Sequence, residues 1–154
     1  MRRLISFLAA PLVAVLAACD ATTATAPAPR DGAIDVRPRR SRYHQFETVV
    51  LDIMNRTGRA VEEDTCIGGT EGWQAGRWSG DYSFQRALCQ INYNPNTSPG
   101  WRTLAPGQTV TDSLPAYGGY AGRWRANLVF RYTETHIPVP ADLVDAREFL
   151  IDVP

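Results

Sequence analysis

Arg123-Trp124-Arg125-Ala126-Asn127-Leu128-Val129-Phe130-Arg131-Tyr132 is the stretch that decides the fold class. Trp124, Ala126, Leu128, Phe130 and Tyr132 share one side of an extended chain. Arg123, Arg125, Asn127 and Arg131 share the other, with Val129 the only apolar exception. Side chains of a strand alternate between its faces, so one face of this run is buried and the other is wet, as expected of an antiparallel sheet.

Working outward, Tyr117-Gly118-Gly119-Tyr120-Ala121-Gly122 is a loop with several permissive backbone positions. Before it, residues 108–114 read as a strand that follows a Pro106-Gly107 turn, itself preceded by Trp101-Arg102-Thr103-Leu104. After the central run, a helical turn is expected over 141–146 and a closing strand over 148–153. Towards the start, residues 43–54 are rich in β-branched side chains, and Val49, Leu51 and Ile53 fall on one face. Asn55-Arg56-Thr57-Gly58 then supplies turn residues before a second strand at 59–63. Residues 65–100 are the least regular, with short strands expected at 72–74 and 85–89 and a loop from 92 to 100. Several short strands separated by turn signals indicate a β-sandwich.

The N-terminus is of another kind. Arg2 and Arg3 precede an apolar run from Leu4 to Leu16 that Pro11 interrupts, shorter than the ~20 residues a spanning helix needs. Basic residues, an apolar core and small residues before a break are the parts of a secretory signal. Leu16-Ala17-Ala18-Cys19 resembles the lipobox of bacterial lipoproteins. That resemblance implies removal of residues 1–18, transfer of a diacylglyceryl group to the Cys19 thiol and acylation of the new N-terminus. Asp20 resembles the signal that retains some lipoproteins in the inner membrane.

Residues 19–42, rich first in Ala, Thr and Pro and then in Arg, read as a lipidated disordered tether with too little apolar surface to offset its ordering entropy. Arg37, Arg39, Arg40 and Arg42 either keep the linker solvated or meet anionic lipid headgroups. The folded domain is then expected over 43–154, one domain of ordinary size.

With residues 1–18 removed, 14 basic residues face 16 acidic ones, a formal charge of −2. That balance offers no electrostatic argument for nucleic acid. Every basic residue is arginine. If Cys19 is lipidated, Cys66 and Cys89 remain as an even pair in an oxidising compartment, and a bridge between them is predicted. Chain entropy gives such a loop about 3 kcal/mol.

Residues 55–58, Leu104-Ala105-Pro106-Gly107-Gln108-Thr109-Val110-Thr111, Gly122-Arg123-Trp124-Arg125 and the terminal Phe149-x-Ile151-x-Val153 resemble bacterial immunoglobulin-like domains of the proteinase-inhibitor-like (BsuPI) type. The resemblance spans 43–153 and implies an immunoglobulin-like sandwich; with the alternation above, the expected fold is an antiparallel sandwich of about seven strands, in which the predicted Cys66–Cys89 bridge is the one inter-strand disulfide. Trp124 stands where such domains often have Gly-x-Tyr-Arg, and the cysteine-bounded insert has no counterpart in the inhibitor pattern.

No catalytic constellation stands out. His44 and His136 are the only histidines and lack His-x-x-x-His spacing; Gly-x-Ser-x-Gly, a phosphate-cradling loop and lysine are all missing from the sequence. Neither a metal nor another cofactor is expected. Glu62, Glu63, Asp64, Glu71 and Asp81 offer calcium-type oxygens without the alternating spacing of a calcium loop, and a charged strand edge explains them as well. Asn55-Arg56-Thr57 and Asn96-Thr97-Ser98 match the glycosylation pattern, although a turn-forming role suits asparagine better here.

The aromatic insert is the most suggestive feature. Trp73, Trp78, Tyr82 and Tyr93 could form a platform for a sugar ring or a protein; alternatively, a tryptophan packs on the disulfide in the core. One of Trp73 and Trp78 is expected in the core and the other partly exposed. The expectation is a non-enzymatic binding or scaffolding module of the cell envelope, anchored in the lipid bilayer through Cys19 and partnered by another envelope protein. Proteinase inhibition through residues 92–101, or saccharide binding through the tryptophans, is the alternative.

Overall fold

The computed structural model describes residues 31–79, 84–85, 100–117 and 119–154. Strands dominate: β1 (Ile34–Pro38), β2 (Arg42–His44), β3 (Thr48–Asn55), β4 (Val61–Gln74), β5 (Arg77–Ser79), β6 (Phe84–Gln85), β7 (Trp101–Leu104), β8 (Thr109–Pro115), β9 (Gly122–Tyr132), β10 (Val144–Ala146) and β11 (Glu148–Asp152). They form two sheets, one ordered β10-β1-β3-β8 and the other β2-β11-β9-β4-β5, with β6 and β7 also on β4.

The alternation predicted from the central run holds residue by residue in β9. Trp124, Ala126, Leu128 and Phe130 are buried, while Asn127 and Val129 are exposed. Facing them across the interior are Ile34 and Val36 of β1, Val49, Leu51 and Ile53 of β3, and Leu114 of β8, all in one apolar cluster. Each sheet therefore buries one face against the other, which is how two amphipathic sheets leave water.

Five expectations are corrected. The sheets are mixed rather than antiparallel: β1 runs parallel to β10 and β2 runs parallel to β11. Eleven strand segments appear among the described residues instead of about seven. The expected tether does not reach 42, because Ile34–Pro38 is a strand hydrogen-bonded between β3 and β10, with Ile34 and Val36 fully buried. Two apolar side chains on one face, seated between strands on both sides, outweigh the Pro- and Arg-rich surroundings. The arginines of that stretch pair within the domain: Arg37 with Asp35, Arg39 with Asp52, Arg40 with Glu47 and Arg42 with Asp152. Finally, residues 43–54 are not one strand but β2 and β3, broken where Phe46 takes a left-handed φ of 67°. The helical turn expected over 141–146 is a 3-10 turn at Ala141–Leu143 followed by β10.

The segment 1–30, with Cys19, lies outside the described residues, as do Tyr82, Cys89 and Tyr93. Cys66 is buried in β4. No helix among the described residues is long and apolar enough to cross a membrane.

Asn55 shows what the predicted turn at 55–58 does. Its side chain is buried: Nδ2 donates to the carbonyls of Arg59 and Leu104, and Oδ1 accepts from the amide and hydroxyl of Thr57. All the amide's main capacities are used internally, so this asparagine ties the turn to β7 and is not a surface acceptor.

Candidate functional site

β4 decides which side chains reach the outer surface of the larger sheet. Its first half pairs Glu63 with Phe130, which turns Glu63 inward. The register then slips, so that the five steps from Glu63 to Gly68 pass only two residues of β9, Phe130 to Leu128. Asp64 holds this irregularity by accepting from the amides of Cys66 and Ile67 at 2.8 and 3.2 Å. Beyond it the parity is reversed: Gly68, Thr70 and Gly72 lie opposite the inward Leu128, Ala126 and Trp124. Glu71 and Trp73 consequently face out. A two-residue turn at Ala75 and Gly76, both with positive φ (49° and 79°), then sets Trp78 of β5 directly opposite Trp73.

The outward arginines of β9 meet these rings. Arg123 lies 5.2 Å from the Trp73 ring centre, Arg125 lies 4.6 Å from Trp78, and Arg131 lies 3.7 Å from Trp101 of β7. Each arginine also has its own carboxylate: Arg123 donates to Glu148 at 2.6 and 2.7 Å, Arg125 to Glu71, and Arg131 to Glu62 at 2.6 Å. Glu148 holds the Arg123 guanidinium above its ordinary pKa through those hydrogen bonds. Trp73 and Trp78 meet edge to face at 5.1 Å and 67°. The outer face is thus a row of tryptophan, arginine and carboxylate sets with no net charge. Each guanidinium charge is matched by a carboxylate, and the flat rings supply the apolar contact surface.

Trp73 and Trp78 are therefore brought together, and both are half-buried on the outer face. The expectation that one of them lies in the core is corrected. The core tryptophan is Trp124, fully buried against Tyr120 at 4.7 Å. Trp101 joins the row and was not anticipated as a site residue; alternation back from the inward Leu104 would have placed it outward.

The remaining candidate groups stand apart. The clustered carboxylates of 62–71 are dispersed: Glu62 and Glu71 hold outer arginines, Asp64 caps the register slip, and Glu63 lies inside. Asp81 lies outside the described residues. Among the described residues no three of His, Cys, Asp and Glu converge as metal ligands would. His136 is well exposed, with Nδ1 3.4 Å from Glu62, and His44 is exposed beside Glu47.

Glu63 is fully buried and accepts from Arg102 Nε at 3.2 Å and from its Nη2. Burial first, and then the neighbouring Asp112, push its carboxyl up to about 7 against the opposing pull of Arg102. With no surface exposed, this acid cannot meet a substrate. On the other sheet, buried Asp35 lies 2.6 Å from Arg37, 3.6 Å from Arg56 and 3.9 Å from Arg147.

No family model matches the chain, and a search of curated proteins finds no match either.

Proposed function

We propose that this protein is a non-catalytic binding or scaffolding module of the bacterial envelope, held at a membrane by acylation of Cys19 and partnered by another envelope protein. The observation that carries the binding role is the outer row of Trp73, Trp78 and Trp101, each ring stacked with an arginine whose charge is matched. Tryptophan and arginine dominate the energetics of protein interfaces because they offer large contact areas with little entropy to lose. A neutral row favours a partner recognised by shape and apolar area over one recognised by charge. Anchoring rests on the lipobox resemblance at residues 16–19, and the immunoglobulin-like assignment rests on the motifs of 43–153.

The Cys66–Cys89 bridge belongs to the same reading. It is supported by the near-complete burial of Cys66 within β4. The bridge would close the insert whose first hairpin carries Trp73 and Trp78.

The test is a crosslinking pull-down from native envelopes with the wild-type protein and a Trp73→Ala/Trp78→Ala variant. One envelope protein recovered with the wild type and lost at least fivefold with the variant is the expected result. Equal recovery by both would remove the tryptophan row as the interface. Recovery of no protein, together with retention on a polysaccharide resin, would move the reading to saccharide binding.

A further inference from the structure

The larger sheet has a gap beside its central strand. β11 flanks β9 only as far as the Glu148–Arg125 row, and the next contact on that edge is the bridge between Pro138 and Arg131. Six steps along β9 separate these rows, ~20 Å of strand at ~3.3 Å each. The chain from 139 to 147 does not close the distance because it crosses to the smaller sheet. There Val144–Ala146 pairs with β1, and the Arg147 amide donates to the Val36 carbonyl.

A cavity of about 350 Å³ fills the space left behind. Its walls are Ala126, Leu128, Phe130, Val139, Val144 and Ala146, and Glu71, Arg125 and Asn127 stand at its rim. Even-numbered residues of β9 direct their main-chain groups to this edge: the Phe130 carbonyl accepts from Val139 at 2.9 Å and the Tyr132 amide donates to Ile137 at 3.0 Å. By the same alternation Leu128 presents both its amide and its carbonyl to the cavity. No described residue pairs with β9 there. Main-chain groups beside an apolar wall need a partner, and a strand edge asks for a donor and an acceptor at peptide spacing.

We infer that this cleft binds a compact ligand with an amide-like donor and acceptor on one side and a short branched apolar body on the other, such as a single blocked amino-acid unit. The volume is at the small end of ligand sites. Arg147 and Val139 stop the gap at its two ends, so a long strand cannot lie along it; one peptide unit entering from the side can. The amide side would bond Leu128, and the apolar body would rest on Val139, Val144 and Ala146. This inference stands on the Leu128 main chain and the apolar wall, sharing only Glu71 and Arg125 at the rim with the tryptophan row, and does not depend on the identity of that partner.

N-acetyl-L-valine N-methylamide is a suitable probe, titrated into the full chain in detergent while the Leu128 amide is followed by NMR. The expected result is a saturable shift of that amide with half-saturation near or below about 1 mM, and slower amide exchange at Leu128 when the probe is bound. Ala146→Leu fills the wall, and Ala141→Phe occludes the mouth from an exposed position that carries no core packing. Each should weaken binding at least tenfold. A Leu128 amide already protected from exchange in the free protein, no saturable shift, or undiminished binding by folded Ala141→Phe would overturn the inference.

Discussion

Position 63 places an acid where the sheets meet. In the unfolded chain its carboxyl titrates at the ordinary value of 4.5, whereas in the folded protein burial and Asp112 hold it near 7. Between those values the native state keeps a proton that the unfolded state has released. Stability must therefore fall as pH rises through this window, and the loss is complete above about 7. The scale is about 3 kcal/mol at most. Urea unfolding of the wild type at pH 5 and pH 8 should show this decline, and Glu63→Gln should flatten it. The same decline in both proteins would place the titration elsewhere. Nothing in the sequence marks Glu63 as internal. It stands between Glu62 and Asp64, and its pairing with the inward Phe130, ahead of the register slip, is what turns it inside.

Among the elements, β9 and β8 were legible because strict alternation survives along their whole length, and Val49, Leu51 and Ile53 of β3 announced themselves in the same way. β4 was only partly legible, since its side chains change parity midway and no single period describes Val61–Gln74. β1 was missed for a different reason: its buried apolar side chains are Ile34 and Val36 alone, set between a Pro-rich and an Arg-rich stretch. Yet β1 has a hydrogen-bonded neighbour on both sides and buries two β-branched side chains completely. Burying such side chains contributes roughly 1.5–3 kcal/mol each, before the ladder bonds are counted. A chain beginning at residue 43 should accordingly lose its cooperative thermal transition, while one beginning at 31 keeps it. Equal melting of the two would show β1 to be dispensable.

At the scale of the molecule, two layers around one core could be read from the spacing of strands, but their connection could not. Parallel neighbours come from opposite ends of the domain, Ile34 beside Val144 and Leu150 beside Arg42, and no local pattern encodes a partner so distant in sequence. Attachment is tested at this scale as well. Replacement Cys19→Ala should move the protein from the membrane to the soluble envelope fraction, because acyl chains supply stable anchorage only when present together. Persistence of the variant in the membrane after a high-salt wash would refute lipid attachment at Cys19.

The place of β1 also bears on mechanics. It is the first strand after residue 31 and lies in the interior of its sheet, gripped along both sides. A pull on the N-terminal side of the chain enters along the axis of this strand, so the rows of bonds to β3 and β10 are loaded together in shear instead of being unzipped one by one. A protein tethered from that end would meet tension with a strand clamped on both sides.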